Sequence, residues 1–319
     1  MEIYRDLNLI ERNLYRVITI GSFDGVHIGH AKILKKCVEI AKQKQIKSTL
    51  ITFDPHPRTV LSKDLNLKFL TSFEEKIEIF ETLGIKQLII LNFNKEFANL
   101  TAEEFIINIA FDKIGFIKLV IGYDHRFGKD RKGDDNLLKE LGKKYGFEVE
   151  KIESISIENE IVSSTKIRKH LCNGKIVLSN KMLGREYMLE AKVIRGAGRG
   201  RIIGYPTANL APLYKEKLMP ANGVYAIRIK INSSVYNGVL NIGIRPTFGD
   251  VIEPLLEAHI FELNKDIYDE IVKVYFVERI RDEKKFQDAE ELKLQITKDI
   301  ETAKKIFNKS ASDVSGAAL

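Results

Sequence analysis

The chain has 319 residues, more than one hydrophobic core ordinarily organises, so two domains are expected. With 44% hydrophobic and 30% charged residues it has the make-up of a folded protein, which excludes a disordered chain and a bundle of membrane spans. The formal net charge of +7, from 51 Lys and Arg against 44 Asp and Glu, favours anionic partners without choosing among nucleotides, nucleic acid and membrane surfaces.

The opening residues, MEIYRDLNLIERNLYR, lack the apolar core of a secretory signal, and the longest apolar runs are too short to span a bilayer. Of the two cysteines, Cys37 lies on an apolar helix face and Cys172 in a polar segment, neither in a metal-like cluster. A reduced, cytoplasmic protein is therefore expected.

Residues 17–30, VITIGSFDGVHIGH, read as strand, tight glycine turn and helix start. The unpaired N–H groups and positive dipole end of such a helix suit a phosphate. His27 and His30 could also be half a metal site, but no further Cys or His pair completes a zinc set. Gly29 between them suits close approach to the backbone.

Further apolar, strand-like runs occur at 50–53, 88–93 and 119–122, with helical segments between. Two of those segments open on capping boxes, Ser72 with Glu75 and Thr101 with Glu104, and end at Gly84 and Gly115, where a left-handed residue is wanted. Alternation of strand and helix predicts a parallel sheet, with ligands beyond the carboxyl ends of its strands.

Residues 163–168, Ser-Ser-Thr-Lys-Ile-Arg, read as a helix start with three hydroxyls followed by two cations. Alone this is a well-capped helix; beside the histidine turn its hydroxyls and cations can hold a phosphate chain.

From Tyr187 the pattern changes to short alternating segments: 224–231, 235–242, 255–261 and 271–277, the first two joined by an Asn-Ser-Ser turn at 232–234. A small antiparallel barrel is expected. A helix over 288–307 places Leu292, Ile296, Ile300, Ala303 and Phe307 on one face to pack against it. Residues 310–319 are small, polar and without periodicity, which predicts a frayed tail.

Within this half the stretch Arg195–Arg201 is rich in Gly and Arg, and Gly204-Tyr205-Pro206-Thr207-Ala208-Asn209 follows. It is neither a Walker loop nor a dinucleotide fingerprint; a flexible nucleic-acid segment is one alternative. Thr207 and Asn209, two residues apart on an extended segment, share a face, and their neutral oxygens suit Mg²⁺ beside phosphate. On a strand over 255–261, Glu257 and His259 point away from Leu256, Ala258 and Ile260; the alternative for Glu257 is a solvated strand face.

Taken together, the motifs carry a resemblance. Gly21-x-Phe23-Asp24-Gly25-x-His27-x-Gly29-His30 with Ser163-Ser164-Thr165-x-x-Arg168 resembles the nucleotidyltransferases that adenylate small phosphorylated compounds. Thr52-Phe53-Asp54-Pro55-His56-Pro57 and Gly122-Tyr123-Asp124-His125-Arg126-Phe127-Gly128 are similar to the branch that converts FMN to FAD, which often has an aromatic at the place of His125. The second half resembles riboflavin kinases through Pro206-Thr207-Ala208-Asn209, Asn222-Gly223-Val224-Tyr225, Asn241-Ile242-Gly243-x-x-Pro246-Thr247-Phe248 and Arg281-Asp282-Glu283-x-x-Phe286. In that order, over about residues 1–308, the chain resembles the bacterial-type bifunctional riboflavin kinase/FAD synthetase family.

The resemblance implies a Rossmann-like, doubly wound α/β domain over 1–183 that adenylates FMN. It also implies a β-barrel kinase domain with a C-terminal helix over 184–308 and a flexible tail over 309–319. In the first, Gly21, Phe23, Asp24, His27, Gly29, His30, Ser163, Ser164, Thr165 and Arg168 would bind ATP, with His27 and His30 stabilising its phosphates. Asp54, Pro55, His56, Pro57, Asp124 and Phe127 would hold the flavin. In the second, Gly198, Gly200, Arg201, Gly204, Pro206, Thr207 and Asn209 would bind ATP, Thr207 and Asn209 would hold Mg²⁺, Glu257 would be the base, and Arg281 and Phe286 would lie near the flavin. The implied partners are riboflavin, FMN, FAD and ATP, with the flavins as substrates and products rather than a resident redox cofactor. Neither nucleic acid nor membrane is expected, and self-association is at most transient. The rival from another class is a nucleic-acid-binding protein built of a degenerate nucleotidyltransferase fold and a basic barrel. Against it, aromatic and basic residues do not alternate along a barrel strand as a stacking platform requires.

Overall fold

The computed structural model describes residues 1–62, 67–196, 204–245 and 253–315. The chain divides into two compact units, Met1–Ser164 and Thr165–Leu319.

The first unit contains strands β1 (Glu2–Tyr4), β2 (Arg16–Ile20), β3 (Lys47–Phe53), β4 (Gln87–Leu91), β5 (Lys118–Gly122) and β6 (Glu148–Ile152). They form one sheet in the order β1-β4-β3-β2-β5-β6, parallel at every pairing. All five residues of β2 and of β4 are buried, the continuous burial that a sheet covered on both faces demands.

Helices α1 (Ile28–Gln43), α2 (Pro57–Leu61), α3 (Phe73–Thr82), α4 (Lys95–Ala98), α5 (Ala102–Glu104) and α6 (Asp135–Tyr145) fill the crossovers, and α5 runs directly into a π-helical stretch over Phe105–Ile114. One layer packs through Leu34, Val38 and Phe80, the other through Phe105, Ile106 and Phe116. Both predicted capping boxes form with reciprocal bonds. Gly84 (φ 89°) and Gly115 (φ 82°) both take positive φ, but Gly115 has ψ 139° and so is not the left-handed helical residue expected. A ribbon of β7 (Ser156–Ile157) and β8 (Glu160–Ile161) precedes α7 (Ser164–Cys172).

The sheet positions a site. From β2 the chain crosses to β3 on one side, whereas β5 is the neighbour on the other, so strand order switches between β2 and β5. Open α/β sheets bind ligands at the carboxyl ends beside such a switch. The loops after β2, β3 and β5, the three segments singled out in the sequence, leave adjacent strands at that end.

In the second unit β9 (Tyr187–Ile194), β10 (Ala208–Pro212), β11 (Gly223–Ile231), β12 (Ser234–Arg245), β13 (Glu253–Ile260) and β14 (Ile271–Arg281) close a barrel in the order β10-β13-β12-β11-β14-β9, antiparallel throughout. Ile231 pairs with Ser234 around the predicted turn, with Asn232 at φ 54°. Helix α8 (Ile176–Leu183) docks on this barrel: Asn180 Nδ2 donates to the Phe276 carbonyl at 2.8 Å, and the Tyr187 amide donates to Asn180 Oδ1 at 2.8 Å. These bonds hold α8 with the barrel, although it precedes the change in sequence pattern at Tyr187.

The final helix, α9 (Ala289–Ser315), packs Ile300, Ala303 and Phe307 against Val224, Ala226, Val239 and Val277. It continues past Phe307 to Ser315, so residues 310–315 are helical where a frayed tail was expected; residues 316–319 lie outside the described set. Cys37 is fully buried, its Sγ donating to the Val17 carbonyl at 3.3 Å, and burial pushes its thiol up to about 12. Cys172 is exposed, and both cysteines are free.

Candidate active sites

The turn after β2 is held in a costly conformation. Phe23 (φ 48°), Gly25 (φ 81°) and Val26 (φ 35°) all have positive φ, which only the glycine adopts freely. Such a conformation persists when its surroundings over-determine it, and here Asp24 does so. Its buried carboxylate accepts from the Leu70 amide at 2.9 Å and the Thr71 amide at 3.3 Å, while Gly25 N–H donates to Thr71 Oγ1 at 3.0 Å. Asp24, expected as an ATP ligand, thus directs its carboxylate to the backbone of its own fold. Ser164 Oγ donates to the Asp24 carbonyl at 2.8 Å, tying the start of α7 to the same turn.

His27 is the N-cap of α1; its Nδ1 accepts from the His30 amide at 3.3 Å, as Ser or Asp would. The two imidazoles stack with centroids 3.6 Å apart and planes 18° apart, and the edge of Phe23 meets His30 at 5.1 Å. Glycines at 21 and 29 make room for this packing: a Cβ at Gly21 would lie 2.9 Å from the Phe23 ring, and one at Gly29 3.2 Å from the His27 ring. Two imidazoles are thereby fixed at a helix start beside the switch point, where phosphate charge is favoured. Of the second motif, Ser163 and Ser164 fall in the first unit, and Thr165 and Arg168 in the second.

The loops after β3 and β5 differ in what they offer. Asp54 pairs with Arg5 at 3.0 Å, and His56 caps α2 by accepting from the Arg58 amide at 3.1 Å, with its ring 4.7 Å from Phe69. Pro55 and Pro57 flank it, Pro57 opening α2. Asp124 is exposed, but Phe127 is only 8% exposed and packs on Phe105 in the core, leaving little ring surface for a flavin. His125 lies over Phe127 with centroids 5.2 Å apart and planes 27° apart. Its Nε2 is buried without a hydrogen-bond partner among the described residues, and desolvation, with Arg131 nearby, lowers its pKa to about 4. It is therefore a neutral, flat ring at neutral pH.

In the barrel, register assembles what spacing could only suggest. Glu257 on β13 is directly opposite Asn209 on β10 and Asn241 on β12, so the three form a row across adjacent strands. The flanking Leu256 and Ala258 are buried, which leaves Glu257 on the other face, as alternation predicted. Gly196 lies flush against Asn209, since a Cβ there would collide with the Asn209 amide. Thr207 precedes β10, and Gly204 (φ 85°) has open space where a Cβ would stand. Gly198, Gly200 and Arg201 lie outside the described residues, as do Pro246, Thr247 and Phe248.

Arg281 grips Asp299 of α9, with Nε 2.9 Å from Oδ1 and Nη2 2.8 Å from Oδ2, while its guanidinium lies 5.7 Å from the centroid of Phe286. Asp299 is 3% exposed and also accepts from Gln295 at 2.9 Å. A Cβ at Gly243 would collide with the Glu283 carboxylate, which accepts from Asn222 Nδ2 at 3.5 Å. Sequence reasoning missed Asn241 as a neighbour of Glu257 and Asp299 as the anchor of Arg281. Alternation along β12 places Asn241 only once the pairing is known, and nothing local marks Asp299.

A family model for FAD synthetase matches residues 10–166, and one for riboflavin kinase matches residues 183–307. The chain is 40% identical over 304 residues to the bifunctional riboflavin kinase/FMN adenylyltransferase of Buchnera aphidicola subsp. Schizaphis graminum, covering 94% of this chain and 97% of that one. The chain belongs to the bifunctional riboflavin kinase/FMN adenylyltransferase family. As a member of it, the chain carries its FMN adenylyltransferase half first and its riboflavin kinase half second. The Bacillus subtilis member is 37% identical, with 93% of this chain and 94% of that one covered. A crystal structure described as a macrolide-efflux protein from Streptococcus pneumoniae has the same fold, with TM-score 0.87, 31% identity, and 95% and 98% of the two chains covered. Among the described residues of the present chain, no helix is long and apolar enough to cross a membrane.

Proposed function

We propose the following division of labour among the residues. In the adenylyltransferase half, ATP phosphates sit at the start of α1, with His27 and His30 stabilising the charge that develops as pyrophosphate departs. An FMN phosphate oxygen bonds to the α-phosphorus of ATP, and the bond from that phosphorus to the bridging oxygen breaks. No protein nucleophile is needed, because positioning and charge stabilisation dominate such transfers. Ser163, Ser164, Thr165 and Arg168 are assigned to the pyrophosphate side by motif. Asp54, His56 and Asp124, on the loops beside the switch point, are assigned to the flavin.

In the kinase half, Glu257 accepts the proton of the ribityl 5′-hydroxyl as that oxygen bonds to the γ-phosphorus of ATP and ADP leaves. The observation that carries this assignment is the row Asn209, Glu257, Asn241, which sets a carboxylate beside the Pro206–Asn209 segment. Among the described residues no group of three His, Cys, Asp or Glu could hold a metal ion. A neutral hydroxyl and amide oxygen beside one carboxylate fit Mg²⁺ that takes its other ligands from phosphate and water. Thr207 and Asn209 would hold it; when bound it neutralises phosphate charge. A cytoplasmic setting accords with two free cysteines and with ATP as the common substrate.

The purified chain with riboflavin, ATP and Mg²⁺ is expected to give FMN and then FAD. His30→Ala should abolish FAD formation while FMN formation continues, and Glu257→Gln should block FMN formation yet leave conversion of supplied FMN. Loss of both activities from either change in a folded protein overturns the two-site assignment.

A further inference from the structure

His259 has no task in the scheme above, yet its contacts converge on the nucleotide segment. It lies two residues beyond Glu257 on β13, on the same face, between buried Ala258 and Ile260. Its Nδ1 is 2.9 Å from the Pro206 carbonyl oxygen. A carbonyl oxygen can only accept, so Nδ1 carries the hydrogen and donates it. The ring is wedged between Tyr205, edge-on at 5.6 Å, and Phe261 at 5.8 Å, and the Tyr205 hydroxyl reaches Thr297 Oγ1 of α9 at 2.9 Å.

Strand register explains why this bond matters. The ladder between β10 and β13 begins at Ala208, opposite Ala258, and includes Asn209 opposite Glu257. Pro206 and Thr207 precede the ladder and receive none of its bonds. One step further along the same register, Thr207 would face His259. The histidine side chain takes over where main-chain pairing stops, and it holds the carbonyl of the peptide that joins Pro206 to Thr207.

We propose that His259 is a positioning residue of the riboflavin kinase reaction. By holding the Pro206 carbonyl it fixes the peptide plane that presents Thr207 beside Asn209 and Glu257, and so governs how the nucleotide is held. This rests on the assignment of Thr207 and Asn209 to the nucleotide and its metal.

The test uses the full chain. His259→Phe keeps a ring between Tyr205 and Phe261 but removes the donor; His259→Asn supplies an amide donor in nearly the same place. In His259→Phe, the kinase KM for ATP should rise roughly tenfold, the loss of about one hydrogen bond. KM for riboflavin and the rate of FMN adenylation should stay unchanged, and His259→Asn should recover most of the loss. Independently of turnover, amide hydrogen exchange over residues 204–209 should quicken in His259→Phe and return toward wild type in His259→Asn. Wild-type KM for ATP and wild-type exchange in His259→Phe overturn the inference, as do equal rises in both KM values. Thr207→Ala is run alongside. If it leaves the KM for ATP unchanged, the nucleotide assignment itself falls and takes this inference with it; if it raises that KM while His259→Phe does not, only the inference falls.

Discussion

Asp24 directs its buried charge to the Leu70 and Thr71 amides and thereby keeps the strained Phe23 and Val26, on either side of Gly25, in place before the histidines. Asp24→Ala orphans those amides and should cost about 2–3 kcal/mol, read from urea unfolding, with adenylation falling alongside and kinase activity unaffected. The motif marked Asp24 in the sequence, but not this task, because its partners lie 46 and 47 residues away. His125 resolves in the same way. Its neutral ring stacks on Phe127, a contact between residues two apart that the sequence alone does not specify. Its folded pKa of about 4 lies below the unfolded value of 6.5, so the unfolded chain takes up the proton first as pH falls. Stability should therefore drop between about pH 6.5 and pH 4, by at most ~3 kcal/mol. Thermal melts of His125→Phe should show that slope flattened, and an unchanged slope would mean that other groups set it.

Helices and strands were legible where a local signal exists. Ser72 with Glu75 and Thr101 with Glu104 marked two helix starts, and runs buried on both faces marked β2, β3, β4 and β5. The three residues of β1 are too few for a period, and β6 reads Glu-Val-Glu-Lys-Ile, with too little apolar content to stand out. The π-helical stretch has only Asn108, Asp112 and Lys113 among apolar residues, too few polar positions for a period to betray its wider turn. Helix α9 was placed by its apolar stripe, but its polar anchor was not, since Asp299 matters only through Arg281 on β14. Removing one partner of a buried ion pair leaves the other uncompensated. Asp299→Ala should destabilise the second unit by about 3 kcal/mol in calorimetry, and free Arg281 and Phe286 to shift, raising the KM for riboflavin. A variant with wild-type stability would show that the apolar stripe alone holds α9.

At the scale of the whole molecule, length raised the expectation of two domains, and the chain parts into two compact units at Ser164/Thr165; alternating patterns foretold a parallel sheet followed by a barrel. Sequence order of the motifs was legible; what they become in space was not. The row of Asn209, Glu257 and Asn241 exists because three strands align, a property of register that no single stretch encodes. Conversely, α8 belongs with the barrel although the sequence around it reads like the preceding half. The contrast between the two thiols supplies a handle on the molecule. Cys37, enclosed and with its pKa at about 12, is closed to alkylation at neutral pH, whereas Cys172 on α7 is open. Ellman's reagent should titrate one thiol per native chain and two after denaturation. A maleimide dye would then label the wild-type protein at Cys172 alone, a single defined position reached without any engineered substitution.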